Sequence, residues 1–444
     1  MGAGQDGDSG ACTGTEEVNP ATVAADEFGE GARVADPRRW GIAALLGFGV
    51  LVNYFDRVNL TVSHAALFAA FGISDVAFGL LLGAYNWTYA LCQLPSGVLL
   101  DRFGVRRVGC VSTFLWSVAS FGAAITPGIG GFFAARFLLG VGEAPSFPAS
   151  AKAVGYWFPP RERSFATSFF DGAAKFSPAI GVPLIGLLLL RIGWRLSFAA
   201  TGLVSLLYFV LFWAIYHDPE RKFLAEGEVL DRGPSQRRAS LGYLLKRRKV
   251  IGLSIGFGSY NYVFYLLLTW LPSYLSRSLH IDLAHSFLYT GIPWLFATVT
   301  DLCIGGWMVD ALIRRGWNAN RVRRTVLIAG TTLGLGILGA AGAHTVGHAV
   351  FWISVSIGGL SAAAPVGWSV PALIAPGDSA GSVGGIMNLS NQISGIAAPA
   401  LTGYFVGVRH SFAMAFIVAA AYLVIGVASY VFLLGEIRPV PMPE

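Results

Sequence analysis

Charge is scarce in this 444-residue chain: 13% of its residues are Asp, Glu, Lys or Arg, whereas 54% are hydrophobic. Soluble domains average about 25% charged residues, so this composition excludes a soluble enzyme with a large core. The 56 glycines and 12 tryptophans suit a membrane, because small residues let transmembrane helices approach closely and Trp lies at the interfaces. The composition predicts an all-α, polytopic membrane protein.

Cysteines and catalytic motifs are also scarce. The cysteines have no CxxC or other ligand spacing, and three lie in apolar runs, which favours packing residues over disulfides: Cys12, Cys92, Cys110 and Cys303. The chain has no GxxxxGK[ST] motif and no His/Asp/Glu set at metal-ligand spacing. We therefore expect no catalytic residues, no enzyme activity, no metal and no organic cofactor.

Residues 1–36 lack an apolar segment. They are polar, rich in Gly and Ala, and carry scattered acids. This composition predicts a disordered tail and not a cleaved signal peptide.

Apolar runs divide the rest of the chain into twelve pieces. A helix needs about 20 residues to cross the hydrocarbon layer, and each piece is about that long. The predicted spans are 40–66, 76–100, 106–126, 130–158, 164–190, 194–216, 249–276, 285–312, 323–342, 346–375, 380–407 and 411–435.

The longest polar interval, His217 to Lys249, falls between the sixth and seventh spans and divides the chain into two six-helix halves. We predict two pseudo-symmetric six-helix bundles joined by a linker. The expected divisions are a cytoplasmic tail at 1–36, a first bundle at 37–216, a linker at 217–248, a second bundle at 249–435 and a cytoplasmic tail at 436–444.

A short signature occurs at equivalent places in the two halves. GVLLDRFGVRR follows the second span and GWMVDALIRRG follows the eighth, and both have a Gly, three apolar residues, an Asp and then a basic pair. Duplicated halves are expected of a transporter that rocks around a central site. The residues of the signature that we predict to act in gating are Asp101, Arg102, Arg106, Arg107, Asp310 and Arg314.

Basic residues are concentrated on one face of the predicted bundle. Nineteen Lys and Arg lie in four loops, at 101–107, 159–163, 217–249 and 313–324. The opposite face holds four, Arg191, Arg195, Arg277 and Arg409. The positive-inside rule therefore predicts that both termini and the linker are cytoplasmic. The net charge of +6 is a topology signal, and we expect no nucleic-acid partner.

The stretch NYFDRVNL places Asp56 and Arg57 side by side in an apolar run. A charge near the middle of a bilayer costs roughly 2.5 to 3.5 kcal/mol on insertion scales, so the pair needs a structural or functional reason. Further charges fall within predicted spans. Arg136 and Glu143 are seven apart, on one helix face, whereas Asp171 and Lys175 have the i, i+4 spacing of a self-neutralising pair.

Several motifs resemble the major facilitator superfamily. GVLLDRFGVRR is similar to its loop signature G-x-x-x-D-R-x-G-R-R. Six further stretches resemble the narrower anion:cation symporter family, which includes carriers of sugar acids: NYFDRVNL, WTYALCQLPSG, RFLLGVGEAPSFP, WFPPRERS, RIGWR and FYLLLTWLPSYL. The resemblance covers the chain from Trp40 to about Leu434. It departs from the common pattern at Asp310, which no Arg follows directly, and at Asp171 and Lys175, where many relatives are polar but uncharged.

The resemblance implies a secondary transporter that imports a small organic anion with a proton by alternating access. Sodium is the alternative coupling ion. An exporter or exchanger, such as a drug/proton or anion antiporter, is the alternative function, and a sensor or membrane enzyme is a distant third. We expect a monomer in the lipid of a bacterial inner membrane.

The resemblance also assigns roles to the intramembrane charges. Arg57 is expected to bind the acid group of the substrate, and a guanidinium suits this because its planar fork matches a carboxylate. Asp56 and Glu143 are the expected proton carriers, since poorly hydrated carboxyl groups can take up and release protons near neutral pH. Arg136 belongs to the same predicted set, and the alternative is that Glu143 only neutralises Arg136.

The remaining substrate contacts are predicted to be mostly polar and uncharged. Amides and hydroxyls can bind the hydroxyls of a sugar acid, and Trp can stack on its carbon face; helix-helix hydrogen bonding is the alternative. The candidates are Tyr54, Tyr89, Gln93, Tyr260, Asn261, Trp368, Ser369, Asn388 and Asn391. Lys175 is favoured as the partner of Asp171, and the alternative is a second positive charge for a dicarboxylate. Asp301 is expected to serve gating or packing, and His64 to be solvated or packed.

Two kinds of partner are open for Asp101 in the gating loop. It can pair with Arg102, Arg106 or Arg107, or it can cap a neighbouring helix. Either contact would hold the cytoplasmic side closed, and breaking it would be a step of alternating access.

Overall fold

The computed structural model describes residues 38–72, 75–218, 238–279, 281, 283–409 and 412–442. In this part of the chain the fold is all-α, and twelve helical spans follow one another, as predicted. An apolar run in a membrane becomes a helix because hydrocarbon offers no partner for backbone N–H and C=O groups. The predicted tail at 1–36 and most of the linker lie outside the described residues.

The first half contains spans α1 to α6. Three of them, α1, α2 and α4, are built from two pieces because the helix is interrupted within the span. The pieces are Arg39–Val62 and His64–Phe71 in α1; Asp75–Leu91 and 93–103 in α2; 105–125 in α3; Ile129–Glu143 and Ser146–Trp157 in α4; 163–192 in α5; and 194–215 in α6.

The second half contains spans α7 to α12, preceded by a short linker helix, Leu241–Leu244. Its spans match the predicted ones to within a few residues. The pieces are Arg248–Leu279 in α7; Leu283–Thr300, the π-helical Asp301–Met308 and Val309–Arg314 in α8; Ala319–Leu333, Gly334–Gly336 and Ile337–Ala341 in α9; Val346–Ser369 and Pro371–Ile374 in α10; Ala380–Arg409 in α11; and Ala413–Ala428 and Ser429–Leu434 in α12.

Local sequence explains the breaks. Gly104 and Gly193 have φ values of 80° and 75°, which favour glycine, and each allows the chain to turn directly from one span into the next. Pro145 follows Glu143 closely in α4, and its missing N–H interrupts the hydrogen-bond ladder there.

The spans differ in polarity, and the more polar ones lie where the two halves meet. Eight described helical stretches are long and apolar enough, by length and composition, to cross a membrane; they contain α1, α3, α6, α7, α8, α9, α10 and α12, and two of them begin in the last part of α2 and of α5. The others, α2, α4, α5 and α11, are short, broken or rich in small and polar residues. These four spans lie between the two halves, where α2 and α4 pack on α11, and α5 packs on α8 and α10.

The last described residues pack against the second half. The Val440 N–H donates to the Ile374 carbonyl at 2.9 Å, and the Tyr243 hydroxyl of the linker helix donates to the Pro441 carbonyl at 2.6 Å. Ile437 and Val440 are buried. The predicted tail at 436–444 is therefore docked along its described part, 436–442.

The close packing of α4 on α3 can be tested at Gly142. A Cβ at Gly142 would lie 2.7 Å from the Trp116 backbone nitrogen, whereas a Cβ at Gly122 would meet nothing within 4 Å. We expect Gly142→Ala to lower the melting temperature of the purified protein, because overpacking costs about 1–3 kcal/mol and exceeds the helix-propensity gain of Ala.

The matched control is Gly122→Ala, which should leave the melting temperature unchanged or raise it. Equal melting temperatures for the two variants would contradict the close packing of Gly142.

Candidate functional site

Asp56 and Arg57 point in different directions although they are adjacent in α1, since successive residues of a helix are about 100° apart. Asp56 is 1% exposed, and its Oδ2 accepts hydrogen bonds from the Trp116 indole at 2.7 Å and the Ser205 hydroxyl at 3.1 Å. These partners belong to α3 and α6. Asp56 is thus held inside the first half, away from the interface with the second.

Arg57 lies among aromatic rings. Its guanidinium carbon is 4.6, 5.0 and 5.2 Å from the ring centroids of Tyr54, Tyr85 and Tyr89. Arg57 Nη1 also donates to the Tyr265 hydroxyl at 3.5 Å. Because Tyr265 belongs to α7, this contact connects the two halves.

Glu143 is fully buried in α4 and forms an ion pair with Arg57. The distance from Arg57 Nη2 to Glu143 Oε2 is 3.4 Å, and the same oxygen accepts a hydrogen bond from the Tyr85 hydroxyl at 2.6 Å. Arg136 instead donates to the Asp56 carbonyl at 3.3 Å and lies 5.1 Å from the Phe198 ring. The alternative in which Glu143 serves only Arg136 is therefore wrong for this structure.

A cavity of about 360 Å³ lies between the halves, next to Arg57. Eight of the eleven predicted substrate contacts line it: Tyr54, Arg57, Tyr89, Tyr260, Asn261, Trp368, Asn388 and Asn391. Among its lining residues in the described part of the chain, Arg57 is the only cation and Asp171 the only carboxylate.

Two predicted substrate contacts, Gln93 and Ser369, do not line the cavity. Gln93 Oε1 accepts a hydrogen bond from Asn388 Nδ2 at 2.9 Å, so Gln93 orients a lining residue and does not line the cavity itself. Ser369 is buried, and its hydroxyl donates to the Val366 carbonyl of its own helix at 2.7 Å. Ser369 therefore uses its one donor within α10 and does not line the cavity.

Sequence reasoning missed several lining residues: Phe147, Phe264, Tyr265 and Gln392. Phe147 follows GEAPS in the motif RFLLGVGEAPSFP, and its ring is 5.1 Å from that of Trp368. Nothing in the spacing of Phe264 or Tyr265 separated them from ordinary core aromatics.

Lys175 forms a buried triad with Asp171 and Asp301. Its Nζ is 2.5 Å from Asp171 Oδ2 and 2.6 Å from Asp301 Oδ2. Lys175 does not line the cavity, so its predicted role as a substrate contact is corrected. The favoured pairing with Asp171 is present, but Asp301 of the second half was not expected to join it. Asp301 begins the π-helical turn of α8, and such turns are common at functional positions.

Asp101 caps α11 across the interface. Its carboxylate accepts the N–H groups of Gly381 at 2.8 Å and Ser382 at 2.7 Å, and Lys152 Nζ lies 2.5 Å from it. Lys152 also pairs with Asp378 at 2.8 Å. We call Asp101, Lys152, Asp378 and the first turn of α11 the linker-side latch, since Asp378 also lies within 3.8 Å of Arg238 of the linker.

The side chains of Arg102, Arg106 and Arg107 are exposed, and none is a partner of Asp101 in the latch. Of the two predicted kinds of partner, helix capping is the one that the structure shows. Sequence reasoning missed Lys152, which is fully buried although nothing in SFPASAKAVGYW separates it from a surface lysine.

Asp310 of the second half caps a helix of the first half, as Asp101 of the first half caps α11 of the second. Its carboxylate accepts the N–H groups of Ser164 at 3.3 Å and Phe165 at 2.7 Å, at the start of α5. Arg314 is exposed on the same short helix. The repeated signature therefore places one acid of each half at a helix N-terminus of the other, where backbone N–H groups and the helix dipole stabilise a negative charge. The His64 side chain lies outside the described part.

The sequence model of the Major Facilitator Superfamily matches residues 46–399. The chain belongs to this superfamily. It is therefore a multi-pass membrane transporter and not an enzyme.

Relatives of this superfamily member span almost its whole length. It is 39% identical to the Bacillus subtilis (strain 168) protein named "Uncharacterized transporter YybO", over 91% of this chain and 96% of that one. It is 29% identical to the "Probable galactarate/D-glucarate transporter GudP" of Escherichia coli (strain K12), over 91% and 95%. It is also 29% identical to a "D-galactonate transporter" of Escherichia coli O6:H1, over 91% and 97%.

Solved structures agree on the fold. The proton:xylose symporter XylE superposes with a TM-score of 0.72 at 14% identity, covering 90% of this chain and 96% of that one. The twelve-helix, two-bundle fold predicted from the sequence is confirmed.

The linker-side latch gives a test of which contacts hold the halves together. Spin labels at Arg106→Cys and Arg315→Cys, in a background without the native cysteines, would report the separation of α3 and α8 on this side. We expect Asp101→Ala to increase the long-distance population about tenfold or more, because hydrogen bonds to a charged group contribute about 1.5–3 kcal/mol.

Arg102→Ala removes the neighbouring charge, which makes no contact with Asp101, and should leave the distances as they are. Equal shifts in the two variants would contradict the capping geometry and favour pairing with the arginines.

Proposed function

We propose that this protein is a secondary transporter that imports a small organic anion, a sugar acid, together with a proton. The observation that carries the proposal is Arg57, a cation on the cavity wall whose ion-pair partner is the fully buried Glu143. A guanidinium recognises a carboxylate through paired hydrogen bonds. The carboxylate of a substrate and that of Glu143 would therefore compete for the same group.

Charge balance links the anion to the proton. The central set contains two acids, Asp56 and Glu143, and two bases, Arg57 and Arg136, so it is neutral when all four are ionised. A bound carboxylate would leave one negative charge in excess in a medium where unpaired charges are costly. A proton on Glu143 removes the excess and releases Arg57 toward the substrate. Anion and proton then favour each other's binding, which is the requirement for symport.

The substrate class rests on relatives and on the cavity wall. Two relatives are named as transporters of galactarate/D-glucarate and D-galactonate, which are sugar acids. Amide side chains line the cavity beside Trp368 and can bind a hydroxylated chain: Asn261, Asn388, Asn391 and Gln392. Both features favour a hydroxylated carboxylate over an apolar anion.

Alternating access supplies the transport cycle. The latch and the contacts of Asp310 join the halves on one side, so opening that side requires these hydrogen bonds to break. By the positive-inside rule this side faces the cytoplasm, in a bacterial inner membrane. The state described here is then the one with the cytoplasmic side closed.

The anion-binding role of Arg57 is tested by Arg57→Ala. Losing one partner of a desolvated charge pair costs about 2 kcal/mol or more, so we expect the Kd for a bound sugar acid to rise at least about thirtyfold. Isothermal titration over a panel of mono- and dicarboxylates measures it. Arg438→Ala makes the same change at a side chain that is 71% exposed, and should bind as the unaltered protein does. Unchanged affinity in Arg57→Ala would remove Arg57 from the site.

The coupling role of Glu143 is tested in proteoliposomes. An inward proton gradient should drive uptake by the unaltered protein, whereas a sodium gradient alone should not. Glu143→Gln should abolish the response to the proton gradient but retain counterflow exchange, because its neutral amide imitates the protonated acid. The control is Glu436→Gln, at an exposed acid.

Two results would overturn this assignment. Gradient-driven uptake by Glu143→Gln would exclude that residue as the proton carrier. Stimulated efflux instead of uptake by the unaltered protein would identify an antiporter.

A further inference from the structure

The two charged residues of the cavity wall lie at different levels of the membrane. The Ser177 hydroxyl donates to the Leu51 carbonyl at 3.5 Å, so α5 and α1 are level at these residues. Arg57 is six residues beyond Leu51 along α1, and Asp171 is six residues before Ser177 along α5. Both spans run away from the linker side. The close approach of Gly47 to the Phe169 carbonyl gives a smaller offset, so at about 1.5 Å per residue the backbones of Arg57 and Asp171 are roughly 12–18 Å apart along the membrane normal.

The Asp171 end of the cavity offers no cation to a ligand. Lys175 is the nearby base, and its Nζ has three donors. Its contacts are Asp171 Oδ2 at 2.5 Å, Asp301 Oδ2 at 2.6 Å and the Asp171 carbonyl at 3.4 Å. The ammonium is fully buried, does not line the cavity and has as many acceptors as donors.

The same end carries an excess of acid. Asp171 and Asp301 surround one lysine, so the triad has a charge of −1 when all three groups are ionised. The Tyr260 ring of α7, 5.7 Å from Lys175 Nζ, brings no compensating charge. While Asp171 is ionised, a carboxylate entering here would meet a carboxylate and no available cation.

Two amides of the cavity wall also present acceptors. Asn388 Nδ2 donates to Gln93 Oε1, and Asn391 Nδ2 donates to Asn388 Oδ1 at 3.2 Å. Asn391 Oδ1 is buried with no hydrogen-bond partner within the described part of the chain. A buried acceptor is stabilised by a donor, and a ligand hydroxyl supplies one whereas a carboxylate does not.

We propose that the cavity selects monocarboxylates with a hydroxylated chain and discriminates against dicarboxylates. The carboxylate lies at Arg57, and hydroxyls donate to Asp171 and Asn391. Asp171 is the specificity-determining residue at the end remote from Arg57. This rests on the proposed function and names its substrate class.

D-Galactonate and galactarate test the inference, because they differ only in the hydroxymethyl or carboxylate group at C6. With purified protein and titration calorimetry, we expect D-galactonate to bind at least about tenfold more tightly, given the repulsion of a second carboxylate by Asp171 at a partly screened distance. Asp171→Asn should reduce the ratio of the D-galactonate affinity to the galactarate affinity several-fold, mainly by improving galactarate binding. Asp171→Glu retains the charge and should keep galactarate the weaker ligand.

Asp301→Asn is the matched variant, since it removes an equal charge from the same triad without changing a cavity-lining residue. In Asp301→Asn, the ratio of the affinities for D-galactonate and galactarate should stay closer to that of the unaltered protein than it does in Asp171→Asn. Equal effects of the two variants would overturn the assignment to Asp171.

The outcomes separate this inference from the proposed function. Galactarate binding as tight as D-galactonate binding in the unaltered protein would overturn the inference and leave organic-anion transport standing. Binding of neither acid, nor of any carboxylate in the panel, would overturn the proposed function and the inference with it.

Discussion

The ion pair between Arg57 and Glu143 is the contact on which the central site depends. A lone charge inside a membrane protein is costly, so each of these groups needs a compensating neighbour. Arg57 can face the cavity because Glu143 is buried behind it, and Glu143 is held in place by the Tyr85 hydroxyl. The rings of Tyr54, Tyr85 and Tyr89 pack around the guanidinium and reduce its hydration, which strengthens the pair.

Contacts between the halves occur at three depths and differ in kind. At the linker side, carboxylates bind backbone N–H groups; farther in, the Lys175 triad joins α5 to α8; next to the cavity, Arg57 contacts Tyr265. The first two sets involve full charges and resist separation. The third set contains no ion pair between the halves: Arg57 donates to Tyr265 at 3.5 Å, and Asn388 donates to Gln93 at 2.9 Å. Ligand binding can therefore change the contact between halves most readily at the cavity.

The fold and most of the cavity followed from the sequence, because hydrophobic run length specifies a span and a polar residue within a run marks an inward face. All twelve spans were found this way, and Arg57 was recognised as an intramembrane charge. The Lys175 triad was not, because Asp301 is 126 residues away and a local i, i+4 partner already explained Lys175.

Ser369 and Lys152 show a second limit of prediction from the sequence. A serine in a span can serve its own helix, as Ser369 does, or a ligand, and its neighbours in sequence do not distinguish the two. Lys152 resembles a surface lysine until the fold brings Asp101 and Asp378 around it. Both outcomes depend on tertiary neighbours and not on spacing.

The capping contacts of Asp101 and Asp310 have a consequence for sequence divergence. Asp310 binds the main-chain N–H of Phe165, so this bond does not depend on the Phe165 side chain, whereas Asp101 accepts from both the N–H and the hydroxyl of Ser382. Gly381 is different, since a Cβ there would lie 2.6 Å from Asp101 Oδ1 and 2.9 Å from the Gly97 carbonyl. The two halves share one bonding pattern, yet the cap of α11 leaves no room for a Cβ at Gly381, whereas the cap of α5 accommodates the side chains of Ser164 and Phe165.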